Sequence, residues 1–287
     1  MLIFVSRCEV GKTMKISRSL TNWATFLLIL AAMFALYRDP FVILWWPPEP
    51  VQRPQILPLH METESIDDMY EGCRSEMAAV SDRLGVFERG NNKRFGSAWA
   101  FAEKHARMPV HKDMKQEHAI ALYLYTSVPL VQHDFSRAVK EGKPKYSTPE
   151  FQFHYFYFFL TEAVQLLRLT SCKTSYHRTS EHYDVNVVNT NMRFGAFVWA
   201  ATDKRTFESN GKVSCFEIHS CFGADVTFYS AKDQAGQVLI PPYEVFTITD
   251  VQTDEQWCNV VYKLQSTKSP RGDLNCKLNL QQIKTFV

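Results

Sequence analysis

The chain has 287 residues, of which 46% are hydrophobic and 22% charged, an ordinary globular composition that can bury one large core or two small ones. Its formal charge of +2 rests on residues 1–38, where Arg7, Lys12, Lys15, Arg18 and Arg38 stand against Glu9, leaving 27 basic and 29 acidic residues beyond them. A polycation that binds nucleic acid by neutralising phosphates is therefore excluded.

Residues 1–18 are basic, and Trp23 to Leu36 form an uncharged apolar core, with Met14 as an alternative start. The length fits a signal-peptide core better than a full span of about 20 residues. Bulky residues follow it and no small-x-small site is evident, so an uncleaved type II signal anchor stands as the alternative. Either way the membrane is involved only through this segment, and the chain is expected outside the cell, secreted or on the outer face. The ending QQIKTFV lacks the apolar tail of a GPI signal, so that anchor is not expected. Pro47, Pro48, Pro50, Pro54 and Pro58 then mark a linker. The expected division is 1–38 signal peptide or anchor, 39–61 Pro-rich linker and 62–287 folded domain.

The first part of that domain reads as helical. Helices are predicted over Ala98–His105, Glu117–Tyr125, Asp134–Val139 and Thr148–Arg168, the last starting at Thr148-Pro149-Glu150. From Ser175 the pattern turns to short strands: Tyr176–Thr179, Arg193–Trp199, Val213–His219, Val226–Ser230, Gln237–Ile240, Tyr243–Val251 and Trp257–Gln265. Helices followed by strands predict an α+β fold with helices packed on a mostly antiparallel sheet. Pro241-Pro242 must end the Gln237–Ile240 strand, because proline cannot donate to the ladder. Six cysteines follow the N-terminal segment, an even number that predicts disulfides in an oxidising compartment. No Cys/His spacing suggests zinc, so no metal is expected. Arg271-Gly272-Asp273 follows Pro270 in a predicted loop and is a candidate integrin-type tripeptide.

Generic catalytic motifs are missing: there is no P-loop, GxGxxG, GxSxG or HExxH. A series of landmarks nevertheless resembles the vertebrate ecto-mono-ADP-ribosyltransferases, which transfer ADP-ribose from NAD(P)+ to protein arginine. They run from Asp67-Asp68-Met69-Tyr70-Glu71-Gly72-Cys73 through His118–Leu122, Tyr125-Thr126 and Phe153–Arg168. Tyr176-His177-Arg178, Arg193-Phe194-Gly195, Ser220–Gly223 and VLIPPYEVF at Val238–Phe246 complete the series. The resemblance implies a compact α+β fold around an NAD cleft, with NAD as co-substrate and no tightly bound cofactor. It also implies an arginine that anchors NAD phosphates, a serine in Phe-x-Ser-x-Ser, and Glu-x-Glu before the VLIPP strand.

Carried onto this chain, Arg178 matches the arginine, Tyr125 the NAD-contacting tyrosine and Ser230 a serine lining the site. Trp199 stands in place of the catalytic serine and Ala201 of the second. Gln237 replaces the catalytic glutamate and Ala235 the outer, acceptor-orienting one. The glutamate would stabilise an oxocarbenium ion, as carboxylates do in glycosidases, and losing one such aimed group costs roughly 10²–10³ in rate. Three readings follow: an arginine-directed transferase, an inactive extracellular module that binds a cell-surface partner, and a weak NAD glycohydrolase. The same resemblance implies the pairs Cys73–Cys276 and Cys172–Cys221. It leaves Cys215 and Cys258, both in predicted strands, as a third candidate pair.

Overall fold

The computed structural model describes residues 17–38, 55–207 and 214–278. The chain divides into two units, Met1–Arg53 and Pro54–Val287. In the first, α1 (Ser17–Arg38) contains the apolar stretch Trp23–Leu36 and exposes large apolar side chains such as Trp23, Leu28 and Met33. Among the described residues, no helix is long and apolar enough to cross a membrane. The basic residues before Ser17, most of the proline-rich stretch and the final QQIKTFV lie outside the described residues.

The second unit starts ahead of Glu62. β1 (Ile56–Leu57) pairs in parallel with β3 (His182–Tyr183), so the end of the predicted linker is part of the fold. Four helices precede a long aromatic one. α2 (Arg74–Asn91) and α3 (Lys93–His105) are separated by Asn92, whose side chain accepts from Phe95 N at 3.1 Å as an N-cap. α4 (Gln116–Ser127) and α5 (Pro129–Lys140) are separated at Val128, which the following proline pushes out of the helical region. α5 thus begins five residues before the predicted Asp134, at a proline in the first helical position.

The predicted helix Thr148–Arg168 is shorter in the structure, α6 (His154–Leu166). Thr148-Pro149-Glu150 forms a turn, and the start is fixed from outside. The buried carboxylate of Glu88 on α2 accepts from His154 N (2.7 Å) and Tyr155 N (3.0 Å), placing negative charge on the helix's positive end. Every residue from His154 to Val164 is buried, so α6 is apolar all round and forms the axis of the helical layer.

The strands are β2 (Lys173–Thr179), β4 (Asn191–Met192), β5 (Val198–Ala201), β6 (Ser214–Ser220), β7 (Ala224–Asp225), β8 (Gln237–Ile240), β9 (Phe246–Glu255) and β10 (Cys258–Ser266). With β3 apart, they form one sheet in the order β4-β9-β10-β6-β2-β5-β8-β7, antiparallel except for β10 against β6. This is the α+β architecture expected. Three strands depart from expectation. Of Arg193–Trp199 only Val198 and Trp199 are in a strand, β5, because buried Arg193 leaves the ladder after β4 to donate to Met61 O, Glu62 O and Pro242 O. Val226–Ser230 is a turn, since Asp225 Oδ1 accepts from Thr227 N and Ser230 N returns to Val226 O. Tyr243–Val251 begins only at Phe246, after the turn that Pro241 and Pro242 impose.

All three cysteine pairs are present as disulfides: Cys73–Cys276, Cys172–Cys221 and Cys215–Cys258. Around the first, Asp68 accepts from Tyr70 N, Tyr146 Oη and Cys276 N, and Asp67 accepts from Leu274 N. The Asp67–Cys73 landmark is therefore a knot joining the start of the domain to its end. Burial raises the Asp68 carboxyl above its ordinary range, against those donors.

Candidate functional site

β5 and β8 lie side by side, with Trp199 opposite Leu239 and Ala201 opposite Gln237. Ahead of β8 the chain makes a tight turn. Gly236 has φ +69°, and a Cβ there would lie 2.0 Å from Thr202 Oγ1, so only glycine lets the turn close on β5. Thr202 N donates to Gly236 O at 2.8 Å and fixes that contact.

The turn delivers Gln237 into a fully buried position where all four hydrogen-bonding capacities of its carboxamide are used. Oε1 accepts from Trp199 Nε1 (2.9 Å) and from Ser230 Oγ (2.6 Å). Nε2 donates to Lys232 O (2.9 Å) and Gln234 O (2.7 Å). Its backbone N–H is also taken, by Thr227 Oγ1 at 2.9 Å. A carboxamide has two donors and two principal acceptor directions, so this side chain is saturated by the protein itself.

A cavity of about 490 Å³ opens beside this cluster, between β2, β5 and helices α4 and α5. Its walls include Tyr125, His177, Phe194, Phe197, Trp199 and Lys232. Tyr125 donates to Phe197 O and accepts from Gln132 Nε2 (3.3 Å), and burial pushes its hydroxyl up to about 12. His177 Nδ1 lies 2.8 Å from Trp199 O; a carbonyl only accepts, so Nδ1 carries the proton. Burial pulls the imidazole down to about 4, which keeps it neutral at physiological pH. Lys232 Nζ lies over the Trp199 ring, 3.8 Å from its centroid, and partial burial lowers its pKa.

The residues singled out in the sequence therefore separate into three places. Trp199, Ser230 and Gln237 form one hydrogen-bonded cluster, with Tyr125 across the cavity. Ala235 lines a neighbouring cavity of about 730 Å³ with Asp225, Phe228 and Asp233. Arg178 sits on β2 opposite Cys215, while its neighbours His177 and Thr179 line the first cavity. Lys232 lies in no motif, and His177, although part of the Tyr176-His177-Arg178 landmark, is not among the residues singled out as the site. The signals for them are local: a lysine five residues before Gln237 across a Gly-containing turn, and alternation along β2.

Glu244 lies in the VLIPPYEVF stretch and serves the fold. It is fully buried and accepts from Ser220 Oγ (2.6 Å), Cys221 N (2.7 Å) and Phe222 N (3.2 Å), closing the turn held by the Cys172–Cys221 disulfide. Burial raises its pKa, opposed by those donors. Arg271 and Asp273 are bound to each other, and Asp273 also to Lys143 (3.4 Å). The tripeptide's two charged side chains are closed onto one another instead of splayed toward a receptor.

Residues 59–270 match the family model "NAD:arginine ADP-ribosyltransferase". The chain belongs to this family. Among similar relatives, rat ecto-ADP-ribosyltransferase 5 is 29% identical over 243 residues, covering 79% of this chain and 76% of that protein. Mouse GPI-linked NAD(P)(+)–arginine ADP-ribosyltransferase 1 is 29% identical over 241 residues, covering 78% and 74%. The crystal structure of the eukaryotic mono-ADP-ribosyltransferase ART2.2 superposes with a TM-score of 0.63 at 28% identity, over 77% of this chain and 98% of that one. The same neighbour is known as a glutamate variant in complex with NADH and as another in complex with NAD. The α+β fold here is thus the ADP-ribosyltransferase fold, and the Asp67–Cys73, Arg193 and Glu244 landmarks are its internal fastenings.

Proposed function

We propose that this chain is a catalytically silent member of the ADP-ribosyltransferase family, an extracellular module that uses the scaffold to bind and does not transfer ADP-ribose. The observation that carries this reading is the saturated carboxamide of Gln237. Cleaving the glycosidic bond of NAD builds positive charge at the ribose, and the family's chemistry answers it with a carboxylate. At this position the chain offers a neutral group whose four capacities are already spent. Trp199 adds to the case, because its indole fills the position of a small hydroxyl and locks Gln237 in place. Ala235 removes the second carboxylate, which would orient an acceptor arginine. Tyr125 and Ser230, proposed as NAD contacts, both have hydroxyls engaged within the protein, and Arg178 lies off the cavity wall.

An extracellular setting is supported by three disulfides and by relatives whose names describe ecto- and GPI-linked proteins. The N-terminal segment is the proposed membrane or secretion element, and a cell-surface protein the proposed partner. ART2.2 glutamate variants in complex with NAD and NADH indicate that altering a glutamate there leaves dinucleotide binding intact, so binding and transfer must be tested separately. The test is incubation of the purified protein with radiolabelled NAD and an arginine-rich acceptor, beside a Gln237→Glu/Ala235→Glu/Trp199→Ser variant. No labelled acceptor and no free nicotinamide are expected from the natural protein. Labelling would establish an arginine-directed transferase, and nicotinamide release without labelling an NAD glycohydrolase; either overturns the proposal.

A further inference from the structure

At the edge of the cavity beside Gln237 stands Lys232, a solvent-exposed residue whose ammonium is in no ion pair among the described residues. Lys232 is held in place by its backbone: its N–H donates to Ser230 Oγ (3.1 Å) and its carbonyl accepts from Gln237 Nε2. The side chain then runs to the Trp199 ring, with Nζ 3.8 Å from the centroid. None of the ion pairs among the described residues involves Lys232, whereas Lys140 at the rim pairs with Glu62 at 3.7 Å. The carboxylate of Glu181, also at the rim, is exposed and accepts from Tyr183 Oη. The cavity walls include the aromatic rings of Tyr125, Phe194, Phe197 and Phe216. The volume of about 490 Å³ lies in the range of small-molecule sites.

We propose that this cavity receives a small planar aromatic carboxylate, with its ring against the aromatic walls and its carboxylate on the Lys232 ammonium. The proposal rests on the reading that the chain is catalytically silent, and it names the ligand class for that same cavity. A site that breaks an N-glycosidic bond must welcome a developing cation. This one carries a fixed cation, so a pyridinium ring is repelled and an aromatic anion attracted. The anion also gains a charge-assisted hydrogen bond from an ammonium that is in no ion pair among the described residues, Glu181 of the same cavity being engaged by Tyr183 Oη. His177, neutral with its proton on Nδ1, adds no second positive charge, so a monoanion is the matched charge.

The experiment compares acids with their uncharged amides: nicotinate with nicotinamide, and indole-3-acetate with indole-3-acetamide. Calorimetric titration is done at pH 7.4 and low salt on the purified full chain. At least one acid is expected to bind at least about tenfold tighter than its amide, a difference of about 1.4 kcal/mol. Lys232→Met should abolish that preference, and Lys232→Arg should retain it, with both variants keeping the thermal midpoint of the natural protein. The proposal is overturned if neither acid binds at millimolar concentration, if acid and amide bind alike, or if NAD binds more tightly than either acid. Because the acid–amide comparison is made on the natural protein, it stands even where a variant fails to fold. Transfer is assayed on the same sample: labelling sinks the silent reading, whereas unlabelled acceptor with no acid binding sinks the ligand class alone.

Discussion

Replacing Gln237 by glutamate, the residue that the resemblance places there in the family, should destabilise the protein. Trp199 Nε1 and Ser230 Oγ would still find an oxygen to donate to. The other end of the side chain fails, because Nε2 now donates to the carbonyls of Lys232 and Gln234. A second carboxylate oxygen there would confront two acceptors and satisfy neither. Each orphaned buried acceptor costs about 1–3 kcal/mol. The 232–234 turn is partly open to water, which can serve one carbonyl, so the expected loss is about 2–3 kcal/mol at pH 7.5. With a urea slope of about 2 kcal/mol/M, the unfolding midpoint should fall by about 1–1.5 M.

The pH dependence gives this prediction its sign. Burial and two facing carbonyls would raise the folded-state pKa of the new carboxyl above its unfolded value of about 4.3. Below that value the acid is protonated in both states, one donor is regained and the penalty is smallest. As pH rises toward the folded-state pKa, the unfolded chain ionises first and stability falls. Urea titrations of the disulfide-intact protein at pH 4.5 and 7.5, against the natural protein at each pH, measure the effect. A variant whose midpoint equals the natural protein's at pH 7.5, or whose deficit shrinks as pH rises, would refute the saturated carboxamide.

Four further outcomes are expected. Glu88→Ala should cost on the order of 3 kcal/mol in chemical denaturation, because His154 N and Tyr155 N lose their buried acceptor together. Gly236→Ala should lower the thermal midpoint by several degrees, since its Cβ meets Thr202 Oγ1 at a backbone angle unsuited to L side chains. A Cys215→Ala/Cys258→Ala variant should lose about 2–4 kcal/mol through freedom returned to the unfolded chain, read as a drop in urea midpoint. Hydrogen bonding and charge from Arg271, with Lys143 adding to them, hold Asp273 down to about 2. That contribution to stability is complete above the ordinary aspartate range and is lost as pH falls toward 2, so acid titration of Asp273→Asn should lack this part of the slope.

What the sequence made readable was punctuation. Pro241-Pro242 ended β8 where proline chemistry requires, and alternation located β2, β6 and β10 to within three residues at each end. What it concealed were contacts between residues far apart in sequence. Helix α2 escaped the pattern because its buried face runs through Ser81, Gly85 and Glu88 as well as Met77, Val80 and Leu84. Gly85 is there because a side chain would strike Tyr155, and Glu88 because α6 needs a cap. The same reason hid the true start of α6. Val226–Ser230 has strand-like composition, and only Asp225 at its head turns it. The resemblance assigned Trp199 and Gln237 to two positions of one site, but gave neither the hydrogen bond between them nor the lysine above the indole.

The Cys73–Cys276 bond has a mechanical consequence. It joins two points 203 residues apart in sequence, so nearly the whole folded unit hangs as a closed loop from a single covalent clasp. Tension between an N-terminal tether and a C-terminal load passes through the sulfur atoms and leaves that loop unstretched. Strand β1 lies outside the clasp, held to β3 by its register at Ile56 and Leu57. A pull on the N-terminus therefore reaches β1 and the stretch up to Cys73, which Tyr157 and Arg193 hold to the rest of the unit, before it reaches the loop closed by the disulfide.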